Sequence, residues 1–400
     1  MSDSDYHTLQ LLEAADLQLK LTSLRQKMTA AGLDSLLVAD NANKLYLTGR
    51  IFDGYIYLPP TGEPVYFVKR PSVLKGKCVY HIHKPENMPE VMAKAGIARP
   101  QHLGLELNQL SYSTVTRLAA AMGVTAFGNA DTVLMAARAV KTPAEIKLIE
   151  DCGVKHERVY RQITHLFRTG MTDIELQIEI ERITRLEGGM GQMRVVGHDM
   201  EINMGSVLTG ANADMPSPYD FALGGAGASP ALPVGANGTV LRPGQAVMVD
   251  TNGDFNGYMT DMTRTFSVGE LPEKAMLAHK LSCDICHTLE KMAVASTPCA
   301  DMYDKALKMA QDGGMEEHFM GHHSQAGFIG HGVGICINEW PVISPKSKQV
   351  LEPGNIIAIE PKFVIPQVGA VGIENTYVVT ADGPLRCLTN APEEIIDLEN

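Results

Sequence analysis

The sequence predicts an α/β (α+β) protein of two domains. Three observations carry this expectation. Its 400 residues exceed what one ordinary hydrophobic core organises. The first third alternates short apolar runs with helical patterns, the signature of a small α/β domain. The remainder opens on capped amphipathic helices and closes on two strand–turn–strand patterns.

The segment "LTSLRQKMTAAGLDSLLVADNANKLYLTG" predicts a helix, a Gly turn, the strand "SLLVA" and a loop leading into "KLYLTG". Strands "YIYL" and "PVYFV" follow, split by the turn "PPTGEP". "HLGLEL" is a further strand and "SYSTVTRLAAAMG" a further helix. A boundary is expected between Arg138 and Thr142, giving domains over 1–137 and 141–400. Thr142 suits a helix N-cap, Pro143 the first helical position, and Glu145 the reciprocal capping position. Thr172 and Glu175 repeat the device, and Gly188 and Gly189 end that helix. Residues 200–240 are rich in Gly, Ala, Pro and Asn, which favours loops and short strands that approach a ligand closely. Helices are expected again over 272–296 and in "CADMYDKALKMAQDGG".

Bulk properties exclude several classes. A formal net charge of −12 argues against a nucleic-acid partner. No apolar run is long enough for a membrane span. The N-terminus lacks a basic stretch followed by an apolar run, so no signal peptide is expected. Seven scattered cysteines fit a reducing cytoplasm better than a disulfide framework.

Chemistry enters with "VMVDTNGDFNGYMTDMTRTFSV", Val247 to Val268. Its alternation is that of a hairpin, yet Asp250 and Asp261 stand where apolar residues are expected. A turn centred near Asp254 and Phe255 places Asp250 opposite about residue 259. Asp261 is then its diagonal neighbour on the same face, roughly 7–8 Å away at Cα. In "NIIAIEPKFVIPQVGAVGIENTYVVT" Glu360 and Glu374 are symmetric about Gln367 and face each other directly. Like charges so placed are destabilising unless a cation intervenes. Between the hairpins, "FIGHGVGICINEWPVI" sets His331 among glycines. Four carboxylates and one imidazole suit two divalent ions of hard or borderline character. Such a pair would generate hydroxide and polarise a carbonyl at neutral pH.

The order Asp-x10-Asp, His-Gly-Val-Gly, Ile-Glu-Pro, Ile-Glu-Asn-Thr resembles the pita-bread metallopeptidases. The join "ARAVKTPAEIKLIE" and the N-terminal "LYLTG" resemble the two-domain branch that holds aminopeptidase P, prolidase and creatinase. The resemblance implies a C-terminal pita-bread domain with pseudo-twofold halves and a smaller creatinase-type N-terminal domain. It implies two divalent ions, Mn²⁺ first, with Co²⁺, Zn²⁺ or Fe²⁺ as other fits. Asp250 would bind one ion, Asp261 and Glu374 would bridge, and His331 and Glu360 would complete the second. Glu360 would also guide the bridging water and take its proton. The implied activity is an Xaa-Pro aminopeptidase or Xaa-Pro dipeptidase on a short peptide, in a cytoplasmic homodimer. The rival is a non-peptide C–N hydrolase or lyase of the creatinase-like branch acting on a small molecule. A binding module without activity is disfavoured, since all five ligands are kept.

Departures bear on specificity. Family peptidases carry a second His seven residues after the first; here Asn338 stands there, able to donate a hydrogen bond to an oxyanion but not to shuttle a proton. An earlier pocket His is replaced at about Pro233 or Val234, and an Arg by Gly372. His198, His322 and His323 are the candidates to substitute. "CDICH" matches a haem-attachment pattern and "GGAGAS" a nucleotide loop, but both lack the required context.

Overall fold

The structure, a computed structural model, describes residues 6–197, 202–219 and 221–399. Its internal contacts divide the chain into two compact units, 1–138 and 139–400.

In the N-terminal unit six strands form one sheet: β1 (Ser35–Val38), β2 (Asp53–Leu58), β3 (Val65–Arg70), β4 (Val79–His81), β5 (Leu103–Leu105) and β6 (Phe127–Asn129). Their order is β4-β3-β2-β1-β5-β6, with helices Ala14–Ala30 and Tyr112–Met122 among those around it. One expectation is corrected here. "KLYLTG" is not reached by a loop but belongs to a helix, Asn41–Thr48. Asp40 caps it by accepting from the backbone N–H groups of Ala42 and Asn43, and Gly49 ends it in the left-handed conformation. The cap residue lay in plain view, and a Gly one step past the helix is its usual stop.

The C-terminal unit repeats one plan twice. Helices Pro143–Tyr160 and Asp173–Leu186 precede β7 (Gly205–Thr209), β8 (Gln245–Asp254) and β9 (Met259–Val268). Helices Glu273–Met292 and Cys299–Asp312 precede β10 (Gly330–Gly332), β11 (Glu339–Ile343), β12 (Ile356–Ile359), β13 (Lys362–Ile365), β14 (Gly369–Gly372) and β15 (Asn375–Val378). Short strands β16 (Arg386–Cys387) and β17 (Ile396–Asp397) close the chain. The sheets run β17-β9-β8-β7 and β11-β10-β12-β15-β16, with β13-β14 as a separate pair. Both expected capping boxes form, at Thr142/Glu145 and Thr172/Glu175. Each helix pair buries its apolar stripe against its own sheet. Ile149, Leu176 and Ile180 pack on Val247, Val249 and Met262, while Ile285, Leu289 and Met302 pack on Ile357, Phe363 and Ile373. Two cores thus clasp the strands that carry the acidic residues. No helix among the described residues is long and apolar enough to cross a membrane.

Candidate metal centre

Register decides which side chains meet. In the first hairpin Asp250 pairs with Thr263 and Asn252 with Asp261. The turn therefore lies later than the sequence suggested. Asp254 remains in the strand, and its Oδ1 accepts from the Gly257 backbone N–H at 2.9 Å. Asn256 Oδ1 accepts from the Tyr258 N–H at 3.1 Å. The second Asn-Gly pair, not the first, supplies the turn. The slip is an even number of residues, so every side chain keeps its face and Asp250 and Asp261 remain diagonal neighbours.

In the second hairpin Ile359 pairs with Asn375 and Lys362 with Gly372. The same register on both sides sets Glu360 directly across from Glu374, as expected. These two residues lie where the hairpin passes from one sheet to the next. Thr263 bridges to Glu374 across the halves of the domain, and its hydroxyl donates to Glu374 Oε2 at 2.8 Å. Asp261 is tied to β15 by reciprocal bonds with Thr376, both 2.8 Å.

His331 is central in β10, paired with Ala358 on one side and Val342 on the other. Its neighbours must be glycines. A Cβ at Gly330 would sit 2.2 Å from the Ala358 carbonyl oxygen, and one at Gly332 would sit 2.0 Å from that of Trp340. His331 Nε2 lies 3.4 Å from Glu360 Oε1 and 3.7 Å from Asp261 Oδ2.

All five sequence-predicted ligands therefore converge. Asp261, His331 and Glu374 each offer a ligand atom within 4.8 Å of the others, and so do Asp250, Glu360 and Glu374. Glu374 Oε1 is buried without a hydrogen-bond partner, a costly condition that a cation would relieve. The donor chemistry and this orphaned oxygen fit a divalent ion. The cluster floors an open cleft of about 770 Å³, mouth included, walled by Met193, Val195, Phe221, Leu223, Val234 and Phe328. Buried Asp173 holds the glycine-rich segment that contributes part of this wall, accepting from the Gly238 and Asn237 backbone N–H groups at 2.8 and 3.1 Å.

One residue of the cluster escaped sequence reasoning. Lys362 Nζ donates to Asp250 Oδ2 at 2.8 Å, Glu360 Oε2 at 2.7 Å and Glu374 Oε2 at 3.1 Å. Its side chain is 0% exposed. The signal was available: Lys362 is two residues beyond Glu360 in the same apolar segment, so strand parity puts both on one face. It stands across the ladder from Gly372, where the resemblance has an Arg, so this chain presents a cation from the opposite strand.

Charge follows this packing. Burial opposes the Lys362 ammonium, but Asp250, Glu360 and Glu374 outweigh it and raise its pKa well above the ordinary lysine value. Burial pushes the Glu360 carboxyl up, yet the Lys362 charge and the His331 hydrogen bond bring it down to about 2. Burial, then the Glu360 charge, pushes Glu374 up to about 8. Asp261 is raised well above the usual range by burial and then by Glu374, Asp250 and Glu360. Burial works against the His331 imidazolium, but Glu360 more than compensates and raises its pKa.

Asn338 lines the cleft, but its carboxamide is engaged elsewhere. Oδ1 accepts from the Val196 N–H at 2.7 Å and Nδ2 donates to the Val196 carbonyl at 3.0 Å. With Ile337 N–H donating to the Arg194 carbonyl at 2.8 Å, it clamps the strap that carries Met193 and Val195. Val234 does reach the cleft wall, as an apolar residue in place of the expected His. His322 and His323 lie apart from the five-ligand cluster, grouped with Asp214. His198 falls outside the described residues. Cys283 and Cys286 are free thiols on a helix, and Cys286 is fully buried, which leaves "CDICH" a packing feature.

Residues 20–140 match the creatinase/prolidase N-terminal domain. An Xaa-Pro dipeptidase of Pyrococcus horikoshii is 26% identical over 383 residues, 94% of this chain and 98% of its own length. An uncharacterized peptidase of Bacillus subtilis, YqhT, is 26% identical over 395 residues, 95% and 100% of the two chains. The crystal structure of an X-Pro aminopeptidase from Thermotoga maritima superposes with a TM-score of 0.76 at 20% identity, covering 93% of this chain and 99% of that one. With residues 147–381, the segment that carries all five candidate ligands, matching its model, the chain belongs to metallopeptidase family M24.

Proposed function

We propose that this metallopeptidase hydrolyses a short peptide, and that an Xaa-Pro dipeptide is its substrate class. The observation that carries the reading is the convergence of four carboxylates and one imidazole on the floor of an apolar-walled cleft. The Xaa-Pro dipeptidase of Pyrococcus horikoshii, matched over 94% of this chain, supports the substrate class. Phe221, Leu223, Val234 and Phe328 offer a prolyl ring an apolar surface.

Asp250, Asp261, His331, Glu360 and Glu374 are the residues that would hold metal, and an oxygen-rich set with one imidazole suits Mn²⁺. A divalent ion there supplies Lewis-acid polarisation of a carbonyl and activation of water at neutral pH. Glu360 is the proton acceptor, with Oε1 facing the His331 side of the cluster while Oε2 is held by Lys362. Asn338 fixes the Val196 strap as a wall, and the one Nδ2 hydrogen not spent on Val196 is its remaining donor toward substrate.

The test is a panel of Xaa-Pro dipeptides, Xaa-Pro-Yaa tripeptides and small amidines, assayed with Mn²⁺ and after chelation. Dipeptide cleavage should require metal. Glu360→Gln should lose roughly 10²–10⁴-fold in kcat while still binding Mn²⁺. Cleavage of amidines alone, or near-normal turnover in Glu360→Gln, would refute the reading.

A further inference from the structure

The lysine buried among the ligands has a consequence for how many ions the cluster takes. We propose that the Lys362 ammonium stands in for one divalent ion, so that the site binds a single metal, held on the His331 side. This rests on the reading of the cluster as a divalent-cation site.

The oxygens are already divided. Lys362 Nζ takes Asp250 Oδ2, Glu360 Oε2 and Glu374 Oε2. These come from Asp250, Glu360 and Glu374, one of the two residue groups within this cluster whose ligand atoms lie close enough to share an ion. In the other group, Asp261, His331 and Glu374, the lysine bonds only Glu374, at Oε2, and leaves Glu374 Oε1 to this side. His331 Nε2 faces Glu360 Oε1 at 3.4 Å and Asp261 Oδ2 at 3.7 Å, and Glu374 Oε1 is buried with no partner. One imidazole nitrogen and three carboxylate oxygens are thus left on this side, a complete set for one ion of borderline character.

Lys362 is held in β13, opposite Gly372, with its carbonyl accepting from the Met320 N–H at 2.8 Å. Strand parity sends its side chain to the face of Glu360, where it is 0% exposed. An ammonium buried there needs anionic partners, and the three it has are the oxygens an ion would need. Two ions in such centres sit about 3.5–4 Å apart, so a cation in one position leaves the other free for metal.

The experiment counts metal in the 400-residue chain. Protein stripped with chelator is titrated with Mn²⁺ by calorimetry, and bound Mn²⁺ is measured by elemental analysis after gel filtration. Wild type should bind one ion per chain. Lys362→Ala, which vacates the position and frees three carboxylate oxygens, should bind two, with a magnetically coupled Mn²⁺ pair in its electron paramagnetic resonance spectrum. Two ions in wild type would overturn the inference while leaving the metal centre intact, and that count needs no variant. One ion in both proteins would also overturn it, because the lysine would not be what excludes the second. No ion in either would overturn the metal reading itself.

Discussion

Arg264→Lys is expected to weaken the C-terminal unit well beyond what a conserved charge suggests. Arg264 is buried beside Thr263, and all five of its N–H groups are used. Nε and Nη2 donate to the Ala391 carbonyl at 3.0 and 2.8 Å. Nη1 donates to the carbonyls of Thr263 and Glu374, both at 2.8 Å, and Nη2 also to Asn375 Oδ1 at 2.8 Å. The guanidinium thus stitches β9, the Glu374 backbone and the C-terminal segment together. A lysine has three donors and no fork, so at least two of the five bonds are lost. Hydrogen bonds from a charged donor contribute about 1.5–3 kcal/mol each, so the loss is about 3 kcal/mol or more. For a unit of this size that is a fall in Tm of about 6–12 °C. Differential scanning calorimetry on metal-free protein measures it. A Tm within about 2 °C of wild type would show that the bonds contribute nothing net and would refute the reasoning.

Two further outcomes are expected. Gly332→Ala should displace β10, cost about 1–3 kcal/mol and sharply lower Mn²⁺ affinity, because its Cβ would meet the Trp340 carbonyl at 2.0 Å. Gly327→Ala, with nothing within 4 Å of its Cβ, is the control, and equal calorimetric effects from both would contradict the close-packing argument. His156 is buried with both ring nitrogens on hydroxyls, Thr260 at 3.0 Å and Thr251 at 3.1 Å; burial, then the Arg264 charge, brings its pKa down to about 3. Its folded pKa lies below its unfolded value, so the stability it contributes is present above about pH 6.5 and is lost as pH falls toward 3. Unfolding free energies of wild type from urea titrations should drop over that window by up to about 1.4 kcal/mol per pH unit more than those of His156→Gln, and parallel curves would contradict it.

How much of this was legible in the sequence depended on range. Strand parity alone put Asp250, Asp261, Glu360 and Glu374 on shared faces, and it survived a misplaced turn because the slip was even. Capping residues located the long helices, since those signals act within one turn of chain. Asp40 carries the same local signal, but the helix it starts, Asn41–Thr48, is too short for apolar periodicity to mark it. Lys362 obeyed the parity rule that revealed Glu360, yet a lysine in a strand reads as a solvated charge until burial is known. The clamp that Asn338 makes could not be read, because its partner Val196 is 142 residues away and the bond is to backbone. The composition of residues 200–240 suggests loops and short strands, while the side chains of Phe221, Leu223 and Val234 that reach the cleft depend on tertiary packing around Asp173.

The central claim is that the five-residue cluster is a divalent-cation centre, and diffraction from crystals soaked in Mn²⁺ tests it most directly. Anomalous scattering should show a peak within bonding distance of His331 Nε2, bounded by Asp261 and Glu374. No peak there, or one confined to the separate group of Asp214, His322 and His323, would contradict the account.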